Sequence, residues 1–79
     1  MKKILIVDDE QISLMMANHI LASDYQTVCA SSGEEALELY ESERPDMVLS
    51  DLNMPNISGY KLQKMMEEKF NETIPFMFM

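Results

Sequence analysis

The chain alternates short apolar runs with longer amphipathic segments, and this alternation limits the folds that it can adopt. Apolar or β-rich runs at residues 4–7, 25–30, 47–49 and 74–79 predict strands. The segments between them, from residue 11 to about 23, from 33 to the Arg-Pro pair at 44–45, and from about 58 to 70, predict helices. Strands that alternate with helices pack as a parallel sheet with helices on its faces. We therefore predict an α/β fold, a doubly wound parallel sheet in the order βαβαβαβ.

Length and charge exclude several classes of function. The 79 residues make at most one small domain with a thin core. There are 14 acidic and 6 basic residues, which gives a formal net charge of −8 and leaves no cluster of Lys and Arg. Nucleic-acid binding depends on such clusters, so we expect no nucleic-acid partner.

Two features indicate the compartment. The single cysteine, Cys29, cannot form an intramolecular disulfide, and this favours a reducing environment. The apolar run near the N-terminus has four residues before Asp8 interrupts it, far fewer than the roughly 20 that a membrane span needs. We expect a cytoplasmic protein without a membrane segment.

Carboxylates follow two of the predicted strands at the point where each strand ends. Asp8, Asp9 and Glu10 come after the first strand, and Asp51 comes after the third. In the usual strand order these two strands are neighbours, so Asp8, Asp9 and Asp51 are expected to converge. Clustered carboxylates repel one another unless a divalent cation compensates, and oxygen ligands suit Mg²⁺, with Mn²⁺ as a substitute.

An alternative interpretation of each aspartate is structural. Asp8 or Asp9 could cap the following helix at its N-terminus, which is a common role for Asp after a strand. This interpretation is weaker for Asp51, because the Leu-Asn-Met-Pro segment after it does not start a helix at once.

Four segments together resemble the receiver domain of two-component response regulators, in its chemotaxis-regulator-like form. They are I-L-I-V-D-D-E at residues 4–10, G-E-E-A-L at 33–37, P-D-M-V-L-S-D at 45–51, and D-L-N-M-P at 51–55 with Gly59 downstream. The resemblance covers nearly the whole chain in matching order. It implies a flavodoxin-like receiver fold.

The resemblance also implies a function and a set of site residues. It implies that Asp51 accepts a phosphoryl group from a phosphohistidine on a sensor histidine kinase. It implies that Asp8, Asp9 and Asp51 hold Mg²⁺ together with the backbone carbonyl of Asn53. The domain is then a phosphoacceptor regulator rather than an enzyme.

A complete receiver has five strands and five helices in roughly 120 residues, the usual size of one domain. The resemblance therefore implies that residues 1–79 correspond to the N-terminal portion of a single receiver domain, ending inside the fourth strand. In the family, a hydroxyl residue and a Lys at the ends of the fourth and fifth strands grip the phosphoryl oxygens. We therefore expect phosphorylation of this chain to be impaired.

Apolar surface that lacks a neighbour predicts self-association. Residues 74–79 form an uncharged apolar strand at an open sheet edge, and the first helix is apolar on two sides. The two stripes of that helix are Ile12, Met16 and Ile20, and Leu14, Ala17 and Leu21. We predict a homodimer through the exposed fourth strand and the first helix, with residues 76–78 and the Leu14, Ala17 and Leu21 stripe at the interface.

Two other functions compete with the receiver. One is a non-enzymatic dimerisation module that keeps a vestigial acidic cation site. The other is a hydrolase that uses Asp51 as its nucleophile. This class expects a second Asp two residues later as general acid, and Asn53 at that position cannot donate a carboxyl proton.

Overall fold

The computed structural model describes residues 1–79 and contains the seven elements in the predicted order. They are β1 (Lys3–Val7), α1 (Gln11–Leu21), β2 (Gln26–Ala30), α2 (Gly33–Glu43), β3 (Met47–Ser50), α3 (Gly59–Phe70) and β4 (Phe76–Phe78). No helix is both long enough and apolar enough to span a membrane.

The four strands form one sheet with the order β2-β1-β3-β4, and every pairing is parallel. The predicted doubly wound sheet and the predicted adjacency of β1 and β3 are both confirmed. The chain moves from β1 to β2 in one direction and from β2 through β3 to β4 in the other. With right-handed crossovers, this reversal puts α1 on one face of the sheet and puts α2 and α3 on the other.

The two faces of the sheet are packed very unequally. A cluster of ten buried residues fills the face under α2 and α3 and includes Leu5, Val48 and Met66. The face under α1 has a cluster of three, namely Ile4, Ile6 and Leu14. The core is therefore thick on one side of the sheet and thin on the other, as expected for a chain of this length.

Serine side chains begin two of the helices. The Ser32 hydroxyl accepts a hydrogen bond from the Glu35 N–H at 3.1 Å, and the Ser58 hydroxyl accepts one from the Lys61 N–H at 3.2 Å. These bonds satisfy N–H groups that have no partner within the helix. Helix α1 begins differently, because its N-cap residue Glu10 makes no capping hydrogen bond with its side chain.

The orientation of helix α1 shows that one part of the predicted dimer interface, the stripe of Leu14, Ala17 and Leu21, was wrong. Leu14 is buried, and Ala17 and Leu21 pack beside it against the sheet. They occupy one side of the helix because positions three, four and seven residues apart share a face. This stripe is therefore not available as an interface, and the opposite side of α1 is the exposed one.

Strand β4 is shorter than the predicted 74–79 segment. Ile74 is buried before the strand begins, and Pro75 breaks the segment without an N–H to donate. The Pro75 carbonyl still accepts from the Val48 N–H at 2.9 Å, and the Met79 N–H donates to the Ser50 carbonyl at 3.0 Å. Pairing with β3 thus extends beyond both ends of the three-residue strand.

The C-terminus of α2 is locked by a polar and aromatic cluster. Arg44 ends the helix in the left-handed conformation with φ 46°, which a residue with a side chain rarely adopts. Its guanidinium lies 4.8 Å from the Tyr40 ring centroid and 5.4 Å from that of Phe70. Glu72 accepts hydrogen bonds of 2.6 Å from the Arg44 guanidinium and from the Tyr40 hydroxyl. These contacts offset the backbone strain and tie α2 to the segment that leads into β4.

The same cluster predicts how stability changes with pH. The Tyr40 hydrogen bond, and then Arg44, hold the pKa of Glu72 below its ordinary value, although partial burial opposes them. A lowered pKa in the folded state stabilises the protein above the unfolded-state pKa, and this contribution is lost as the pH falls through the folded-state value. We expect Glu72→Gln to have a lower free energy of unfolding than wild type at neutral pH. We expect this difference in free energy to become smaller at acidic pH, where Glu72 of the wild type is protonated. Urea unfolding at a series of pH values measures this.

The exposed Glu68 provides a matched control for that experiment. Glu68→Gln removes the same charge from a neighbouring position outside the cluster. We expect the Glu68→Gln profile to follow wild type. If the free energies of unfolding of wild type and Glu72→Gln differ by the same amount at neutral and acidic pH, the lowered pKa of Glu72 does not contribute to stability.

Candidate functional site

Three carboxylates meet at the carboxyl ends of β1 and β3. Asp8, Asp9 and Asp51 each place one carboxylate oxygen within 4.8 Å of the others. Glu10, which follows directly in the sequence, does not belong to this group. The sequence thus predicted the convergence of the three aspartates correctly.

Backbone hydrogen bonds fix where the aspartates leave the sheet. The Asp51 N–H donates to the Val7 carbonyl at 2.9 Å, and the Asp8 N–H donates to the Ala30 carbonyl at 3.1 Å. Each bond continues a parallel ladder one residue past the paired strand. The placement of Asp8 and Asp51 therefore follows from strand pairing, whereas Asp9 lies in the bend between β1 and α1.

The three side chains differ in exposure and in their hydrogen bonds. Asp8 is 4% exposed, Asp51 is half-buried and Asp9 is exposed. One Asp8 oxygen accepts from the Glu10 N–H at 3.0 Å, which makes a turn just before α1. Asp8 therefore stabilises the turn before the helix, but the N-cap residue of α1 is Glu10. The interpretation of Asp8 or Asp9 as the N-cap was wrong.

Asp51 does not cap a helix, as expected, because α3 begins only at Gly59 with Ser58 as its N-cap. Its carboxylate accepts a hydrogen bond of 3.3 Å from the Asn53 N–H, two residues along the loop. Asp and Asn side chains commonly bond to their own backbone in this way. The bond is long, so it orients the carboxylate of Asp51 while leaving most of its acceptor capacity free.

No basic side chain neutralises the cluster. The three ion pairs of the structure all lie elsewhere, and they join Lys3 to Glu43, Arg44 to Glu72, and Lys69 to Glu41. Carboxylates this close repel one another when all are ionised. A set of carboxylate oxygens open to solvent on one side fits a hard divalent cation such as Mg²⁺.

The loop between Asp51 and α3 is held by its own contacts. Met54 is buried in the large core cluster and anchors the middle of the loop. Asn56 adopts the left-handed conformation with φ 71°, and the Ile57 N–H then donates to the Pro55 carbonyl at 2.7 Å. The Gly59 N–H closes the loop by donating to the Leu52 carbonyl at 3.0 Å.

Two further residues support the site, and the role of one of them, Ser50, was not predicted from the sequence. Ser50 is fully buried, and its hydroxyl donates to the Asp51 carbonyl at 3.0 Å. Gly59 packs so tightly that an added Cβ would lie 2.6 Å from the same carbonyl and 3.0 Å from the Phe78 ring. The spacing of Gly59 after the D-L-N-M-P segment was the one sequence signal for this contact, and Ser50 gave none.

The serines after β2 have structural roles. Ser32 caps α2, and both the N–H and the hydroxyl of Ser31 donate to the Glu35 carboxylate, at 2.7 and 3.1 Å. They are thus engaged with the start of α2, and the candidate site consists of the carboxylate cluster.

The chain thus combines a parallel α/β sheet with three clustered aspartates at the ends of two neighbouring strands. The family model of the response regulator receiver domain matches residues 4–79. The chain therefore belongs to the receiver domain family of two-component response regulators, which confirms the resemblance seen in the sequence.

Curated relatives agree with this assignment. The chain is 38% identical over 69 residues to the alkaline phosphatase synthesis transcriptional regulatory protein PhoP of Bacillus subtilis, which covers 86% of this chain and 29% of PhoP. It is 32% identical over 68 residues to the polar-differentiation response regulator DivK of Brucella anthropi, covering 85% of this chain and 55% of DivK. The chain thus spans about half the length of DivK and less than a third of the length of PhoP.

Solved structures give the same fold. The chemotaxis protein CheY4 of Vibrio cholerae superposes with a TM-score of 0.88 at 31% identity, over 99% of this chain and 67% of CheY4. The receiver domain of the hybrid histidine kinase CckA superposes with a TM-score of 0.83 at 37% identity, over 96% of this chain and 72% of the CckA domain. Both structures therefore share the fold of this chain over nearly its whole length.

The contact at Gly59 predicts the cost of a single methyl group. In Gly59→Ala the new Cβ meets the backbone carbonyl of Asp51, a residue held by the bond from its N–H to Val7 and by the bond from the Ser50 hydroxyl to its carbonyl. We expect a loss of about 1–3 kcal/mol in the free energy of unfolding, the usual cost of overpacking. Urea denaturation measures it.

Gly33 is the matched control, because it also occupies the first position of a helix. Its added Cβ would meet only Ile57, with no atom closer than 3.0 Å, so the neighbour needs to move by only a few tenths of an ångström. We expect Gly33→Ala to cost less than about 1 kcal/mol. Equal losses in the two variants would argue against a fixed Asp51 carbonyl.

Proposed function

We propose that this chain is a phosphoacceptor signalling domain in which Asp51 receives a phosphoryl group from a sensor histidine kinase. The observation that carries the proposal is the meeting of Asp51 with Asp8 and Asp9 at one sheet edge, with no basic side chain paired to them. Membership of the receiver family supports the same role. The domain regulates rather than turns over a substrate, and we propose that it acts in the cytoplasm.

We propose that Mg²⁺, or Mn²⁺ in its place, binds the carboxylates of Asp8, Asp9 and Asp51 together with the backbone carbonyl of Asn53. The donor chemistry fits, because all the proposed ligands are oxygens. A bound divalent cation supplies charge neutralisation between Asp51 and an incoming phosphoryl group. Asp8 is the most constrained ligand, since it is buried and already bonded to the Glu10 N–H.

The chain contributes positioning and a nucleophile to phosphoryl transfer. A carboxylate oxygen of Asp51 forms a bond to phosphorus while the bond from phosphorus to the histidine nitrogen breaks, and the electron pair of that bond stays on the nitrogen. A carboxylate is a modest nucleophile, so most of the acceleration comes from alignment and electrostatics. The Val7 carbonyl, the Ser50 hydroxyl and the Asn53 N–H all hold the Asp51 residue in place.

A second candidate function is a dimerisation module, and the phosphorylation experiment described below distinguishes it from the first. A non-enzymatic dimerisation module would keep the acidic cluster as a vestigial cation site without accepting phosphate. The apolar residues exposed on α1 favour it, because they offer a surface for association. We propose in either case that the chain forms a homodimer, since α1 leaves large apolar side chains exposed.

The proposed metal site predicts a selective loss of affinity. Asp9→Asn removes one charged ligand from an exposed position, where it should not disturb folding. We expect Mg²⁺ affinity, measured by isothermal titration calorimetry, to fall at least about tenfold. Glu10→Gln is the control, because Glu10 is adjacent, exposed and outside the cluster. Equal affinity in wild type and Asp9→Asn would remove Asp9 from the site.

The proposed nucleophile predicts a covalent product. With acetyl phosphate and Mg²⁺, we expect wild type to gain the mass of one phosphoryl group on Asp51 and to lose it with hydroxylamine. Asp51→Asn keeps the shape of the side chain but lacks the nucleophilic oxygen, and it should gain nothing. Intact-mass and peptide mass spectrometry measure both.

The two candidate functions give opposite results in that experiment. A folded chain that binds Mg²⁺ but forms no adduct would favour the dimerisation module and reject the phosphoacceptor. An adduct of equal yield in Asp51→Asn would place the acceptor on another residue.

A further inference from the structure

The first residue of α3 packs against the backbone of Asp51 and a ring of β4 at the same time. A Cβ added at Gly59 would lie 2.6 Å from the Asp51 carbonyl oxygen, and 3.0 and 3.1 Å from Cε1 and Cδ1 of Phe78. The carbonyl and the ring thus lie on the same side of Gly59. Together they form the surface on which the start of α3 rests, and we call them the Gly59 seat.

Strand pairing brings the Phe78 ring to this position. Phe78 is in register with Ser50 of β3, and the Met79 N–H donates to the Ser50 carbonyl at 3.0 Å. Side chains of residues in register on parallel strands point to the same face of a sheet. The Ser50 side chain on that face donates from its hydroxyl to the Asp51 carbonyl. The Gly59 seat is therefore built by two paired strands.

Phe78 packs differently from Phe76, which precedes it on the same face of β4. Phe76 packs against the larger core cluster, and Phe78 does not. The Phe78 ring centroid lies 4.8 Å from that of Tyr60, with the rings tilted by 49°, and 5.6 Å from that of Phe76. Such tilted aromatic pairs are favourable. The Phe78 ring is thus packed on Gly59 and Tyr60, the first two residues of α3.

A chain of hydrogen bonds joins the Gly59 seat to the carboxylate of Asp51. The Gly59 N–H donates to the Leu52 carbonyl at 3.0 Å, and Leu52 lies between Asp51 and Asn53. The Asn53 N–H donates to the Asp51 carboxylate at 3.3 Å. A displacement of Gly59 therefore pulls on Leu52 and changes the long bond that orients the carboxylate.

We propose that Phe78 is a positioning residue for the phosphorylation of Asp51. Its ring completes the Gly59 seat and so keeps the Asp51 backbone and carboxylate aligned for attack on phosphorus. Without the ring, the start of α3 gains space in which to move, and a misplacement of about 1 Å can cost about 100-fold in rate. The inference rests on the proposed phosphoacceptor function and adds a residue of a third strand to a site made by β1 and β3.

A double-mutant cycle tests the contact without relying on phosphorylation. Phe78→Val removes the ring and keeps a residue that suits a strand, and Phe76→Val is the matched control on the same face. We expect the stability loss caused by Gly59→Ala, measured by urea unfolding, to fall to roughly half in the Phe78→Val background. In the Phe76→Val background it should be unchanged. Phe78→Leu and Phe76→Leu are a milder pair to use if a Val variant does not fold.

The rate of phosphorylation tests the positioning role. With acetyl phosphate and saturating Mg²⁺, we expect Phe78→Val to form the Asp51 adduct at least about tenfold more slowly than wild type. Phe76→Val should keep the wild-type rate, although it also loses a ring from β4. A purely structural role would lower the stability of both variants and leave the rate of the folded proteins unchanged.

Three outcomes would overturn the proposal, and they differ from one another. Additive losses in Gly59→Ala and Phe78→Val would show that the ring does not support Gly59. A coupled cycle with equal phosphorylation rates in Phe78→Val and wild type would keep the contact and reject the positioning role. A wild type that forms no adduct would reject the phosphoacceptor function and the positioning role together.

Discussion

The parallel pairing of β1 with β3 is the constraint on which the site depends. It sets Val7 opposite Ser50, so that Asp8 and Asp51 are the next residues at one edge of the sheet. Neighbouring strands lie about 4.8 Å apart, and side chains that leave two paired ends together must stay close. The hydrogen bond from the Asp51 N–H to the Val7 carbonyl extends the pairing to the proposed acceptor residue itself. The acidic cluster is thus a property of the sheet, and repulsion among the carboxylates cannot separate them without breaking strand pairing.

The contacts around Asp51 act mainly on its backbone. Ser50 and the close approach of Gly59 both fix the Asp51 carbonyl, while the carboxylate has one long hydrogen bond from Asn53. A held backbone with a lightly bonded carboxylate is suited to a group that must change partners during a reaction. Asp8 is more firmly held, because it is buried and bonded to the Glu10 N–H. The two neighbouring strands therefore supply one fixed carboxylate and one that is freer to react.

Most of the fold and the main feature of the site could be predicted from the sequence, because parallel α/β connections leave few topologies open. The order of the elements and the meeting of Asp8, Asp9 and Asp51 were predicted correctly. The rotation of α1 was not, because its two stripes are about equally apolar and the sequence does not say which faces the sheet. The structure places the polar pair of Asn18 and Thr27 on one flank of that helix. The role of Ser50 was also missed, since a hydroxyl that bonds to a backbone carbonyl leaves no pattern along the chain.

The unequal packing of the two sheet faces separates the site from the α1 side of the molecule. The loop after Asp51 is anchored on the thick side, where Met54 joins the ten-residue core and Gly59 begins α3. The thin side contacts the site only through the start of α1, at the bond between Asp8 and the Glu10 N–H. The proposed acceptor Asp51 is thus followed by a loop that is anchored in the larger core cluster, whereas the exposed apolar side chains of α1 lie on the other face of the sheet.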